Sequence, residues 1–454
     1  MSARRVALEH PFQLGEAFRD PVHGFIRVSK QERRIIDRPE VQRLRRIHQL
    51  GPGYFVYHGA EHSRFGHSLG ALEIATRLFE VIHRKRPESL GDDDEQITRN
   101  WQLVRLAALL HDVGHSPFSH ATEDIMPRDE GGRPFAHGDY TCAVIRSSGM
   151  AAQINELFGS TGITADMVAN LVQRPEQLGE EGVLLRQLVS SELDADRMDY
   201  LARDCLYCGV MYGRYDTDRL LETATVAKWR GSPWRLAIEA GGMFALEAFL
   251  LARYYMYIQV YLHDVRRFYD IALTRFLKNI LPGGVYPAPE SLSSYLEYDD
   301  LRVMQDARER ASGRDAWGNV LWNRGHWRTV AETEPHPGST RVRAWSQAQA
   351  ELENQFHDEV IFDDARAQAY QLLKFGPYPV LKREQEEDEQ EDRFPILVVK
   401  EGEVKGEPVE YNSTMIKNLD PEGIMLMRVY ARPDKEDEVK AAWQALFSNV
   451  GGAS

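Results

Sequence analysis

Cysteine is scarce in this chain. There are three in 454 residues, Cys142, Cys205 and Cys208. That number supports no disulfide framework and points to a reducing compartment. Cys205 and Cys208 form a CxxC, but no second cysteine pair exists to complete a zinc site, so both are read as structural thiols in a helical pattern. Long apolar runs are missing as well: no stretch of about 18 apolar residues occurs, and no membrane span is expected. The first residues, MSARRVALEHPF, lack the apolar core of a secretory signal, so the expectation is a cytoplasmic protein. Positive charge is in deficit, with 55 Lys and Arg against 69 Asp and Glu and a net charge of −14. The field of the whole molecule therefore repels nucleic acid, and an anionic substrate requires a locally basic site. Arginines do gather early, at Arg33, Arg34, Arg43, Arg45 and Arg46. There is no internal repeat and no targeting motif.

With 43% hydrophobic and 27% charged residues the chain reads as globular, and its length suggests about two or three domains. Phe18–Val28 carries a turn signal at Asp20 and Pro21 followed by alternating residues, which predicts a hairpin. From Lys30 to about Phe276 the pattern is mainly helical, clearest over 67–83, 98–111, 117–125, 139–147 and 184–206. Asp92, Asp93 and Asp94 mark a loop. Met243 to Phe276 is apolar and aromatic throughout and reads as one long segment. Pro282 to Pro289 forms a joint, and 325–340 is a polar stretch within a mixed helical region. The run KREQEEDEQEDR at 382–393 reads as a solvated linker or exposed helix. PILVVK and IMLMRVYA beyond it read as strands, and Lys435–Phe447 as a helix. The resulting division is a core over 1–285, a helical extension over 286–380, and an acidic linker with a small α/β module over 381–454.

The chemistry concentrates in LLHDVGHSPFSHATE, Leu109 to Glu123. His111 and Asp112 end an apolar helical run, and Gly114 follows as the flexible residue common after a helix. Ser116 and Pro117 signal a second helix, on which His120 and Glu123 share a face. Adjacent His and Asp supply half of a mixed coordination sphere for a divalent metal. Candidates to complete it lie upstream in HSRFGHSLG, with Arg64 and His67, and downstream in ELDADRMDYLARDC, where Asp196, Tyr200 and Asp204 fall along one helical stripe.

These residues carry a resemblance. His67, His111, Asp112 and a later Asp are similar to the H…HD…D signature of HD-domain phosphohydrolases. The strings IDRPEVQRLRRIHQLG, HSRFGHSLG, HDVGHSPFSH and DADRMDYLARD resemble more narrowly the deoxynucleoside triphosphate triphosphohydrolases, bacterial and vertebrate. The likeness spans roughly the first 270 residues, with its motifs in family order. It implies a mainly α HD-domain fold, here with a small C-terminal α/β appendage. It also implies metal-dependent cleavage of a dNTP at the α-phosphate into deoxynucleoside and inorganic triphosphate.

By the same resemblance His67, His111, Asp112 and Asp196 are the metal ligands, for Mn²⁺, Mg²⁺, Fe²⁺ or Zn²⁺. Arg64 neutralises a phosphate, and His115 and His137 stand beside the scissile bond. Glu123 pairs with His137 where the family more often has Asp. His120 also works on phosphates or protons. Asp194, Arg197, Tyr200, Asp204, Arg253 and Tyr257 bind the nucleotide, Arg197 standing where the family usually has Lys. Gln49, Leu50 and Tyr261 contact the 3′ hydroxyl and crowd the 2′ position, while Leu262 replaces a polar base-reading residue. Asp37, Gln42 and Arg45 match an activating-nucleotide site that also joins subunits in allosteric relatives, so a homo-oligomer (dimer, tetramer or hexamer) is expected; the plainer reading is that the three pair within a helix. Two other functions fit an HD pocket. One is a phosphodiesterase or nuclease acting on nucleic acid or a signalling nucleotide, which the acidic charge disfavours. The other is a non-catalytic nucleotide sensor.

Overall fold

Serine and aspartate caps start three of the helices that position the site. In the computed structural model, which describes residues 13–311, 316–365, 396–419 and 424–451, Ser29 opens Lys30–Ile36 with a capping box. Its hydroxyl accepts from the Glu32 N–H, and Glu32 Oε2 accepts from the Ser29 N–H. Glu32 is buried, and its carboxylate also receives the Arg105 guanidinium at 2.7 Å, which pins this helix to Asp94–Leu110. Asp93 caps that helix in turn, and Asp194 caps Ala195–Cys208, which ends on the left-handed Gly209.

The central element is the 22-residue helix Arg64–Lys85, which buries Leu72, Ile74, Ala75, Leu78, Phe79 and Ile82 completely. It packs against Asp94–Leu110 on one side and Ala195–Cys208 on another. Each such apolar side chain contributes roughly 1.5–3 kcal/mol by leaving water. Gly70 permits the second contact: a Cβ there would lie 1.8 Å from Asp199 Oδ1 and 2.4 Å from Arg203 Nη2.

Strands are few and short. β1 (Glu16–Asp20) and β2 (Gly24–Val28) form the expected hairpin. β3 (Ala224–Ala227) and β4 (Arg235–Glu239) interrupt a region read as helical. β5 (Arg328–Glu332) lies in the polar stretch, and β6 (Val360–Asp364) closes the extension. β7 (Leu397–Val399), β8 (Glu407–Pro408) and β9 (Met427–Ala431) follow. The orders are β3-β4-β7-β8 and β5-β9-β6.

The α/β appendage is thus present, with the helix Glu436–Gly451 in it, but two of its three strands come from upstream of the acidic run. PILVVK goes elsewhere, since β7 runs parallel to β4 and extends the sheet of the first half. The run at 382–393 lies outside the described residues.

Three expected helices are broken. The 184–206 segment is two helices, Gly179–Val189 and Ala195–Cys208, because Asp194 turns the chain and caps the second. Met243–Phe276 is Met243–Met256, a π-helical turn Tyr257–Tyr261, and Asp264–Ile280. The segment after Ser116 begins only at Ser119 and is a 3₁₀ helix to Ile125, because Phe118 and Ser119 take left-handed backbone at φ 58° and 59°. All three cysteines are free thiols, Cys142 and Cys205 buried. Among the described residues no helix is long and apolar enough to cross a membrane.

Replacing Gly70 with Ala forces its Cβ into the Asp199–Arg203 ion pair. Overpacking of this kind costs about 1–3 kcal/mol, so the urea midpoint of Gly70→Ala is expected to fall, whereas Gly138→Ala, where a Cβ meets nothing within 4 Å, serves as the neutral control.

Candidate active site

Three elements converge on one buried point. The first turn of Arg64–Lys85 brings His67, the end of Asp94–Leu110 brings His111 and Asp112, and the first turn of Ala195–Cys208 brings Asp196. His67 Nε2 lies 3.0 Å from Asp196 Oδ1 and 3.5 Å from Asp112 Oδ2. His111 Nε2 lies 3.4 Å from Asp112 Oδ1 and 3.7 Å from Asp196 Oδ1. Both Nε2 atoms are buried and make no hydrogen bond.

The opposite nitrogens are fully engaged, His67 Nδ1 with Asp199 Oδ2 at 2.8 Å and His111 Nδ1 with the Ala108 carbonyl at 2.7 Å. Such bonds hold the two rings with Nε2 turned to the centre, the orientation a divalent cation needs. His67, His111 and Asp196 have ligand atoms close enough to hold one ion, and Asp112 offers the fourth. Two imidazoles and two carboxylates are a donor set for Mn²⁺, Fe²⁺, Mg²⁺ or Zn²⁺. The residues therefore fit a metal.

Burial alone favours neutral His67, but Asp196 and Asp199 outweigh it and push the imidazole up to about 10. Asp112 is held well below the carboxylate range despite its burial, by Arg64 and the neighbouring histidines. Arg64 contacts Asp112 through Nη1 and reaches Ser119 Oγ with Nε at 2.7 Å.

Behind His67 stands a centre absent from the expectations above. Asp199 receives His23 Nε2 at 2.6 Å and Arg203 Nε and Nη2 at 2.9 and 2.8 Å. Arg203 Nη1 continues to Asp20 at 2.8 Å, so the β1–β2 turn is tied through Asp199 to His67. The spacing of Asp199 from Asp196 and Arg203 was the available signal.

A second cluster adjoins the first. His115 Nε2 lies 3.2 Å from Asp112 Oδ1. Its ring stacks on His137 at 4.2 Å between centroids, and His120 sits edge-on to both. Glu123 bridges His137 Nδ1 at 2.7 Å and His120 Nδ1 at 3.1 Å. Burial, with Arg64 and His137 nearby, drives His115 well below the usual histidine range. Burial also opposes charge on His137, but the Glu123 carboxylate reverses this and raises it. Two stacked imidazoles are thus pushed in opposite directions, which separates a proton acceptor from a proton donor.

With this geometry in place, the likeness to known proteins can be assessed. A model of the HD domain matches residues 64–204, and a model of an HD associated region matches residues 215–370. The chain is an HD-domain protein. It is similar to the uncharacterized protein YwfO of Bacillus subtilis, 40% identical over 58% of this chain and 55% of that one. The uncharacterized protein MJ1154 of Methanocaldococcus jannaschii is 32% identical over 67% of this chain and 59% of its own. The deoxynucleoside triphosphate triphosphohydrolase SAMHD1 of Xenopus laevis is 32% identical over 50% of this chain and 40% of its own. The chain thus spans about half the length of these relatives. Among solved structures, a hypothetical protein from Aquifex aeolicus superposes with a TM-score of 0.72 at 29% identity, covering 94% of this chain and 99% of that one.

Around the HD centre the structure gathers most of the expected pocket. Tyr200 lies 6.5 Å from the His67 ring and 6.2 Å from Tyr261, which meets Tyr257 at 5.0 Å. Asp204 accepts from Tyr261 at 2.8 Å and meets His62 Nε2 at 2.7 Å, a partner that sequence reading missed. Arg197 pairs with Asp194 at 2.5 Å and Arg253 with Glu192 at 2.6 Å. Gln49 and Leu50 are buried, and Gln49 Oε1 has no hydrogen-bond partner.

The early arginines are engaged elsewhere. Arg33 pairs with Asp37, Arg34 with Glu156 and Arg46 with Asp299, and Arg43 donates to the His115 carbonyl. The pocket's cations are instead Arg64, Arg197 and Arg253. Of Asp37, Gln42 and Arg45, Asp37 takes Arg33, while Arg45 donates to Gln42 at 2.8 Å and stacks 3.6 Å above the Phe65 ring.

Asp199→Asn keeps the shape of the side chain and removes the charge that orients His67. Losing such a partner costs about 10–100-fold in metal affinity, so Mn²⁺ titration by calorimetry is expected to show a loss in that range, against an unchanged value for a distant surface variant such as Glu351→Gln.

Proposed function

We propose that this protein is a metal-dependent phosphohydrolase that cleaves deoxynucleoside triphosphates to deoxynucleoside and inorganic triphosphate. The observation that carries this reading is the junction, at Asp112, of a buried centre and a half-buried histidine cluster. A four-ligand centre with orphaned Nε2 atoms stands on one side, and an oppositely tuned histidine pair on the other. The similarity to SAMHD1 supports a dNTP as the substrate class.

His67, His111, Asp112 and Asp196 would hold the metal, which when bound supplies positive charge against a phosphate oxygen. Arg64, Arg197 and Arg253 add guanidinium groups that match phosphate oxygens. Tyr261 and Asp204 form one wall, and Gln49 and Leu50 another, where a deoxyribose edge would lie. His137, whose pKa the Glu123 carboxylate raises, is the proton donor to the 5′ oxygen as the Pα–O5′ bond breaks and the attacking water's oxygen joins the phosphorus. His115, held neutral, is the proton acceptor of the pair. In the same reading an activating nucleotide binds near Asp37, Gln42 and Arg45 and joins copies of the chain.

The deciding measurement loads the protein with Mn²⁺ or Mg²⁺ and offers each dNTP and NTP singly and in mixtures. Deoxynucleoside and intact triphosphate are the expected products, and activity confined to mixtures would reveal the activator. Unchanged nucleotides under every metal and mixture, with cleavage of labelled single-stranded DNA instead, would sink the reading. Turnover is expected to vanish in a His111→Ala, Asp112→Ala double variant.

Glu123 also sets a pH limit. Because His137 acts in its protonated form and Glu123 raises its pKa, the rate falls as pH climbs through that value. Glu123→Gln removes the anion and lowers the pKa, so the alkaline limb of kcat is expected to move to lower pH. An unmoved alkaline limb would take the acid role away from His137.

A further inference from the structure

Two consecutive residues in the heart of the site adopt a backbone that L side chains avoid. Phe118 and Ser119, at φ 58° and 59°, form the joint between His115 and the 3₁₀ turn carrying His120 and Glu123. Left-handed backbone at non-glycine residues is strained and persists only where the surroundings over-determine it.

Several contacts hold this joint. Phe118 is fully buried in the apolar core that also holds Tyr140, Phe268, Tyr286 and Tyr295. Ser119 Oγ accepts from Arg64 Nε at 2.7 Å and donates to the His48 carbonyl at 2.8 Å. Ser116 Oγ donates to the Ser119 carbonyl at 3.0 Å. Gly51 lets the Phe118 carbonyl approach, since a Cβ there would lie 2.5 Å from that oxygen.

One further contact comes from outside the HD domain. The Phe118 N–H, which the left-handed turn aims away from its own helix, donates to Asp300 Oδ1 at 2.7 Å. Asp300 begins the helix Asp300–Ala311 and is 1% exposed. Its other oxygen accepts from the His48 N–H at 2.8 Å and meets His48 Nδ1 at 2.7 Å. His48 precedes Gln49 and Leu50, and it bridges Ser63, next to Arg64. One buried carboxylate therefore binds the catalytic turn with one oxygen and the pocket-wall loop with the other.

We propose that Asp300 is a positioning residue, supplied by the HD associated region, that holds the strained Phe118–Ser119 joint and the His48–Leu50 loop in one register. It touches neither the metal ligands nor the histidine pair. Without it the joint can relax toward ordinary backbone. Such relaxation turns His120 and Glu123 away from His137 and withdraws Ser119 from Arg64. The proposal extends the hydrolase reading above, and hydrogen exchange tests it separately from that reading.

The experiment compares wild type with Asp300→Ala and Asp300→Asn, the full chain in each case, by hydrogen exchange and by dNTP hydrolysis. The expected result for Asp300→Ala is exchange faster by about tenfold or more in peptides covering 114–125 and 46–51, with 195–208 unchanged. A misplacement of this kind lowers kcat about 100-fold per active site titrated with Mn²⁺. Asp300→Asn, which keeps one acceptor oxygen, is expected to recover part of both and is the variant to read if Asp300→Ala does not fold. A purely structural role would lower the folded fraction and leave kcat per titrated site intact, which overturns the proposal. Unchanged exchange at 114–125, or a rise spread equally over 195–208, overturns it as well. If wild type hydrolyses no dNTP, a local rise at 114–125 still upholds the clamp, and the substrate reading alone falls.

Discussion

A single carboxylate with no solvent exposure, Asp199, underlies the geometry of the site. It orients His67, accepts from Nε and Nη2 of Arg203, and receives His23 from the hairpin turn. An uncompensated charge at this depth would cost several kcal/mol, and its three partners make it tolerable. The absence of a side chain at Gly70 admits this group between two helices. His67 is thereby fixed before any ligand arrives, since its ring can turn only by breaking the bond to Asp199. The candidate metal centre inherits its order from a polar core one layer behind it.

Charge in this protein is arranged locally against its overall sign. The molecule carries −14, while Arg64, Arg197 and Arg253 surround the HD centre, each next to a carboxylate. Those carboxylates keep the guanidinium groups ordered and limit the cost of burying them. The same economy governs the histidines: with Glu123 beside one ring and Arg64 near the other, two chemically identical side chains take opposite protonation preferences. The two rings also differ in depth, the His115 side chain being 1% exposed and that of His137 34%.

Much of the candidate site was legible because its chemistry is dense. His67, His111, Asp112 and Asp196 meet as their motifs suggested, and Glu123 does pair with His137. The groups behind them were hidden for physical reasons. Asp199 and Arg203 are four apart on a helix and look like a surface ion pair until the fold buries them. His23 and Asp300 act across long chain separations that no local pattern encodes. In the fold, apolar periodicity runs through Ser190–Asp194 and through Tyr257–Leu262, so neither break announced itself, although Asp194 as a cap was a usable signal. β3 and β4 are only four and five residues long, and β4 draws its other partner from β7, far along the chain.

The π-helical turn Tyr257–Tyr261 has a further meaning. An extra residue per turn leaves carbonyls without helical partners. Here arginines from two directions take the last of them: Arg266 donates to the Tyr261 carbonyl, and Arg428 on β9 donates to that of Leu262 at 2.5 Å. Arg428 also pairs with Glu332 on β5 and lies 3.5 Å from Asp363 on β6. The β5-β9-β6 sheet is therefore a buttress for the segment that carries Tyr257 and Tyr261, and a shortened chain ending before Met427 would leave those tyrosines unsupported as well as lose its tail.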